Sequence, residues 1–341
     1  MTSVHNERKL PPTLEEVAAA AGVSRSTASR VINGSTQVSA EVVASVTAAI
    51  DELNYIPNRA ARSLANRQTM AIALVVPEDT TRFFGDPYFA AIVQGITTGL
   101  AESDYVLNLQ LASPFEPSEK TMRYLRGGNV DGALVVSHHS GDHFLASLGE
   151  RLPIVFGGRP LRPEEQSSYY VDVDNVEAAE MGTKYLLEAG RTRIGIIGGP
   201  PDMPAGLDRT DGWLRAVTGA GLDATARAVG DFSMLGGARA MRELLDTHPD
   251  LDGLFVASDL MATGALSVLR ERGRSVPGDV AVVGFDDSPA AISGDIQLTT
   301  VQQPSAAMGE KMAETLLALL RGESPERQSI MKTRMVVRDS A

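Results

Sequence analysis

Apolar positions near the start of the chain recur at helical spacing. Leu14, Val17, Ala18 and Ala21 share one face of a first helix, and Ala28, Val31 and Ile32 share one face of a second. Thr13-Leu14-Glu15-Glu16 has the spacing of a capping box that starts the first helix, and Gly22 is placed to end it in a left-handed turn. Ser24 can cap the second helix. A third is expected from about Ser39, with Val42, Val43, Val46, Ile50 and Leu53 closing a small core. Two short helices joined by a Gly-containing turn form a helix-turn-helix pattern.

Beyond residue 67 the pattern changes. Short apolar runs at Ala71–Val76, Val106–Leu111, Ala133–Val136, Ile154–Phe156, Tyr169–Val173, Arg193–Ile197, Gly253–Val256, Val280–Val283 and Thr299–Val301 read as strands. Amphipathic stretches between them, such as Asp174–Glu188, Gly237–Asp246, Leu260–Arg272 and Pro304–Leu320, read as helices. This alternation predicts an α/β fold with parallel sheets, and the number of strands suits two doubly wound lobes. Ile330–Val337 reads as a further β-like run near the end of the chain.

Charge is divided unevenly. The whole chain carries −12, but residues 1–67 hold seven Lys/Arg against six Asp/Glu, leaving −13 on the remainder. An acidic body repels phosphate, so nucleic acid is expected to meet only the headpiece and its linker. On the second helix Arg25, Ser26, Ser29 and Arg30 lie opposite the apolar face. Arg can donate twice to guanine and Ser can bond a base edge or a phosphate. Taken alone, the same face fits a merely solvated three-helix unit equally well.

The chain has no cysteine, which removes disulfides and thiol chemistry. No apolar run nears the roughly 20 residues of a membrane span, and MTSVHNERKLPPT is no secretory signal. A cytoplasmic location without membrane attachment is expected. Asn58–Ala65 is helical material of only about two turns, too short to be stable alone in water.

Ligands of open α/β sheets sit beyond the carboxyl ends of the strands. Those exits lead to Asp79 and Asp86-Pro87-Tyr88-Phe89, to Ser137 and His138, through Gly198-Gly199-Pro200-Pro201 to Arg209, to Ser258 and Asp259, and to Phe285, Asp286 and Asp287. The Gly-Gly-Pro-Pro turn lacks the spacing of a dinucleotide loop. His138, His139 and His143 lack companions that complete a metal site, so loop lining is the better reading, and no metal or cofactor is expected. Asp174 with Glu177 reads as a helix cap. Asp286-Asp287 has neither nucleophile nor metal beside it, so binding is better supported than catalysis.

The run from Thr13 to Ala65, with GVS-x-x-T-x-SRV-x-N and LNY-x-PN-x-A-x-x-L, resembles the headpiece of the lactose-repressor (LacI/GalR) family, and the resemblance continues along nearly the whole chain. It implies that Arg25, Ser26 and Arg30 read bases, that Thr13, Ser24, Ser29 and Asn33 contact phosphate, and that Tyr55 steadies the hinge junction. Asn58, Arg59 and Leu64 become hinge contacts to DNA, with Leu64 wedged between base steps in the minor groove. The resemblance also implies a periplasmic-binding-protein-like sensor of two lobes joined by three crossovers. The organisation expected is a headpiece over 1–57, a hinge over 58–67 and a sensor over 68–341. One lobe takes about 68–168 and 302–332, the other about 169–301 and 333–341.

By the same resemblance Arg209, in R-x-x-GW, and Asp286, in VVGFDD, bind the effector. Ser258-Asp259 stands where the family has Asn-Asp, Ala205 where a serine is found in the lactose repressor, Phe232 where it has a stacking tryptophan, and Gln303 where it has a glutamine near the cleft. With Asp86, Tyr88, Phe89 and Ser137 these form the expected effector site, and a saccharide is the favoured ligand class, with a nucleoside as the alternative. The reading is a regulator, a repressor by resemblance, acting as a homodimer on a palindromic operator in double-stranded DNA. An enzyme lacks its nucleophile or phosphate loop here, and a transport binding protein would need an export signal and no headpiece.

Overall fold

The computed structural model describes residues 12–32, 37–55, 68–112, 119–142, 144, 152–161 and 168–341. Asn33, Asn58, Arg59, Leu64 and the rest of the expected hinge through residue 67, and also His143, lie outside the described residues. The chain divides into two compact units, Met1–Thr69 and Met70–Ala341.

The first unit contains α1 (Leu14–Ala20), α2 (Arg25–Ile32) and α3 (Ala40–Leu53). The capping box is formed: the Glu16 amide donates to Thr13 Oγ1 at 3.3 Å, and the Thr13 amide donates to Glu16 Oε2 at 2.7 Å. Gly22 has φ +67°, the left-handed conformation the turn requires. Ser24 Oγ accepts from the Thr27 amide at 3.1 Å and so starts α2. Val17, Ala18, Ala28, Val46, Ala49 and Tyr55 are buried, with Leu14, Val31, Ile32, Val42, Ile50 and Leu53 packed around them. Val43 is the exception to the expected core, with 38% of its surface exposed, because on α3 it lies at the edge of the stripe formed by Val42, Val46, Ala49 and Leu53. Thr13→Ala removes one half of the capping box and is expected to cost about 1 kcal/mol. Hydrogen exchange in the intact protein should then accelerate across Leu14–Ala20, and unchanged protection there would contradict this account of the helix start.

The second unit has two six-stranded sheets. The first contains β1 (Ala71–Val76), β2 (Val106–Leu111), β3 (Gly132–Val136), β4 (Ile154–Gly157), β5 (Tyr169–Val173) and, from near the C-terminus, β11 (Gln328–Met331). Its spatial order is β11-β5-β4-β3-β1-β2, and every pairing is parallel. The second contains β6 (Ile194–Gly198), β7 (Arg227–Val229), β8 (Gly253–Val256), β9 (Ala281–Asp286), β10 (Thr299–Gln302) and β12 (Arg334–Val336). Its order is β12-β10-β9-β8-β6-β7, parallel except for the antiparallel edge strand β12. The apolar runs β1, β3, β4, β6 and β8 are buried along their whole lengths, as parallel strands covered on both faces must be.

The helices cover these faces: α4 (Thr80–Gly85), α5 (Pro87–Leu100), α6 (Glu119–Arg126) and α11 (Ser305–Leu320) in the first lobe; α7 (Asn175–Glu188), α8 (Pro204–Gly219), α9 (Met234–Thr247) and α10 (Asp259–Glu271) in the second. Helices α5 and α11 pack so closely that a Cβ on Gly95 would lie 1.8 Å from the Ala306 carbonyl oxygen.

The lobe boundary differs from the expected one. β5, placed with the second lobe from its sequence position, belongs to the first sheet, where it pairs β4 on one side and β11 on the other. Its buried Val171 and Val173 need neighbours on both edges. The chain therefore crosses between lobes after β5, after β10 and between β11 and β12. The last crossing splits the expected Ile330–Val337 run at Lys332-Thr333, because its two halves pair in different sheets. The three-residue edge strand β7 has too short an apolar pattern to be seen in the sequence.

Candidate functional site

In each sheet the chain leaves its first strand to one side and returns on the other: β2 and β3 flank β1, and β7 and β8 flank β6. At such a switch point the carboxyl ends of the strands open a crevice. The two crevices face each other across a cavity lined from both lobes.

Its first-lobe wall is built from strand exits and helix starts. Asp86 caps α5, accepting from the Tyr88 amide at 3.0 Å, and Tyr88 lines the cavity. Arg82, on α4, pairs with Asp86 at 3.0 Å. Ser137 follows β3 with φ +59°, and its hydroxyl donates to Glu78 Oε1 at 2.6 Å. His138 comes next, and Asp172 arrives from the end of β5.

The second-lobe wall carries Arg209, from α8, which is 5% exposed. Its Nε donates to Asn175 Oδ1 at 2.9 Å, Nη1 to the Ala257 carbonyl at 2.6 Å and Nη2 to Gln303 Oε1 at 3.3 Å. Asp286 Oδ1 is 3.5 Å from Nη1, and the guanidinium carbon stands 3.6 Å from the centre of the Phe285 ring. A buried guanidinium requires this kind of company: a carboxylate, carbonyl oxygens and an aromatic face. Gln303 Nε2 also donates to Asp286 Oδ1 at 2.9 Å, so these side chains form one connected cluster. Phe232 and Ser258 complete the wall, the latter as the cap of α10.

Burial dominates the titration of these groups. It holds Asp286 well above the ordinary carboxylate range despite Arg209, and it raises Asp86 despite Arg82. It lifts Asp172 to about 6, against the amide bonds from Arg159 and Val173. The same burial lowers Arg209 and holds His138 at about 4. His139 is the exception: burial works to lower it, but its bonds to Glu78 and Asp202 raise it to about 9.

Several polar contacts cross between lobes, among them the Ser140 amide donating to the Asp202 carbonyl at 2.8 Å. Arg159 grips Asp208 with two bonds of 2.6 Å, Arg82 Nη1 donates to the Phe232 carbonyl at 2.8 Å, and His139 Nδ1 lies 2.9 Å from Asp202 Oδ2. They hold the lobes together around the cavity.

Eight residues expected at the effector site line the cavity: Asp86, Tyr88, Ser137, Arg209, Phe232, Ser258, Asp286 and Gln303. Two expected residues do not. Phe89 follows Tyr88 on α5, and the helix turns it into the core, where its ring centre is 5.2 Å from that of Phe83. Asp259 is wholly buried and accepts from Thr300 Oγ1 at 2.6 Å and the Ser288 amide at 2.8 Å. It ties the second sheet to the loop after β9. Arg82, Asp172 and Asn175 line the cavity without having been singled out for it. Asp172 and Asn175 had a legible signal, since they end one strand and begin the next helix.

In the first unit Arg25, Ser26 and Arg30 are exposed along α2. Arg25 Nε lies 2.8 Å from Glu15 Oε1 of α1, with both side chains well exposed. Ser24 Oγ lies 2.8 Å from Ser26 Oγ and 2.8 Å from Thr27 Oγ1. Thr13 is exposed and spends its hydroxyl on the capping box, and Ser29 is half-buried. Tyr55, grouped with the DNA-binding residues as the aromatic that steadies the hinge junction, is a core residue at 9% exposure and so acts from inside the unit.

Comparison with known proteins agrees with this architecture. Residues 13–58 match bacterial regulatory proteins, lacI family, and residues 183–341 match a periplasmic binding protein-like domain. The HTH-type transcriptional regulator CelR of Thermobifida fusca is 47% identical over 98% of this chain and 99% of its own. A solved transcriptional regulator CelR–cellobiose complex is 43% identical, with TM-score 0.76, over 97% of this chain and 100% of that one. A lac repressor dimer bound to operator and the anti-inducer ONPF is 26% identical, with TM-score 0.85, over 97% and 99%.

Proposed function

The chain belongs to the lacI family of bacterial regulatory proteins and is a DNA-binding transcription regulator, and we propose that it is a repressor whose hold on an operator is set by a saccharide bound between the two sensor lobes. The observation that carries this is the Arg209–Asp286–Gln303 cluster opening into an interlobe cavity beside Phe232, in the same chain as a helix-turn-helix unit. Paired donors and acceptors suit the hydroxyls of a sugar, and an aromatic ring suits its apolar face. The relative solved with cellobiose supports that sugar as the first probe.

The regulator works as a cytoplasmic homodimer. One recognition helix reads about half of a site, and a two-fold dimer reads a palindrome. Among the described residues no helix is long and apolar enough to cross a membrane.

The test is to mix the pure protein with sheared DNA from its source and sequence the fragments retained. Enrichment of a short palindrome is expected, with release of those fragments when cellobiose is added. Light scattering should report a dimer. No enrichment at moderate salt, with or without sugars, overturns the proposal, and a tetramer overturns its geometry.

A further inference from the structure

His138 follows the left-handed turn at Ser137, which is anchored through its hydroxyl to Glu78. That turn brings the imidazole to the wall of the interlobe cavity, where it is 3% exposed. The ring packs edge-on to Phe156, with centroids 5.3 Å apart. Its Nε2 lies 3.1 Å from the Arg159 carbonyl oxygen. A carbonyl only accepts, so Nε2 carries the proton. Burial, reinforced by the nearby charges of His139 and Arg159, keeps the ring neutral at pH 7. A neutral imidazole has one N–H, which leaves Nδ1 as a bare lone pair. That atom is buried and has no hydrogen-bond partner among the described residues. Buried acceptors are nearly always satisfied, and because His138 lines the cavity, a molecule held there is placed to supply the missing donor.

We infer that Nδ1 of His138 is a recognition group of the cleft, accepting a hydrogen bond from a hydroxyl of the bound molecule and so selecting ligands that offer a donor at that point. The inference rests on the saccharide reading above. It assigns His138 a role that the carboxylates around it do not duplicate, because a neutral acceptor takes a hydroxyl proton without adding charge to a cavity already lined by Asp86, Asp172 and Asp286. It also links recognition to closure. The backbone that fixes the tautomer belongs to Arg159, whose side chain grips Asp208 of the opposite lobe.

The test uses the full-length protein labelled with ¹⁵N-histidine. Without ligand, His138 should show the Nε2–H tautomer and stay neutral from pH 6 to 8. Added cellobiose should shift the Nδ1 resonance toward that of a hydrogen-bonded acceptor. By calorimetry, His138→Phe keeps the ring but removes the acceptor and should weaken cellobiose binding roughly 10- to 100-fold. His138→Asn, which returns an oxygen near the Nδ1 position, should recover most of that loss. A proton on Nδ1, or cellobiose binding by a folded His138→Phe variant as tight as the original, overturns the inference. If the unaltered protein binds neither cellobiose nor any of a panel of neutral mono- and disaccharides, the saccharide reading fails. The tautomer in the ligand-free protein then still decides whether Nδ1 is the open acceptor.

Discussion

Arg209→Ala is expected to abolish the response to the effector, weakening cellobiose binding by about 100-fold or more, while operator affinity in the absence of sugar stays within about threefold. The magnitude follows from the chemistry. A hydrogen bond to a charged group is worth about 1.5–3 kcal/mol, and two of them lost together exceed the roughly 2.7 kcal/mol of a hundredfold change. The substitution also leaves Asp286 in a buried site without the cation at 3.5 Å that favours its ionised form. Its carboxyl is then driven further toward the neutral acid, and its value as a charged acceptor falls. The DNA-binding face belongs to the other compact unit, so its fold does not depend on this cluster. Calorimetry with cellobiose and a gel shift on the selected operator measure the two halves separately. A folded variant that still releases operator in response to sugar would show that Arg209 is structural only.

The second large effect is expected on the DNA side. Arg25→Ala combined with Arg30→Ala should reduce operator affinity by about 100-fold or more, at about 1–3 kcal/mol for each lost base contact, so that binding approaches the level of unrelated DNA. Neither side chain contributes to the buried core of Val17, Ala18, Ala28, Val46 and Ala49, so the unit should remain folded. Arg25 is held by Glu15 at 2.8 Å, an exposed pair that adds little stability but narrows where the guanidinium can point. Binding to scrambled DNA should change much less. Equal losses on operator and scrambled DNA would mean that the two arginines contact phosphate rather than bases.

What could be read directly from the residues was local. The capping box at Thr13 and Glu16, the left-handed Gly22 and the Ser24 cap are each settled within four residues, by hydrogen bonds and φ preferences that need no distant partner. The buried strands announced themselves for the same reason, since a run such as Ala71–Val76 has few options but a doubly covered parallel sheet. Strand exits then pointed to the cavity, because in this class of fold the position of the opening follows from the direction of the strands.

Choices between neighbours were not local. Tyr88 and Phe89 are adjacent aromatics, and only the orientation of α5 on the sheet decides that the first meets the ligand cavity and the second the core. Ser258 and Asp259 divide in the same way, the aspartate being drawn inward by Thr300 and the Ser288 amide, residues tens of positions away. The lobe that takes β5 was decided by its pairing with β11, more than 150 residues later. Sequence alone thus determined most of the longer elements, the fold class and the places where the chain leaves its main strands, because those rest on short-range periodicity and hydrogen bonding. Tertiary structure alone decided the allegiance of β5, the arginine that spans the lobes at Phe232 and the open nitrogen of His138, because each depends on which distant groups reach hydrogen-bonding distance once the sheets have packed.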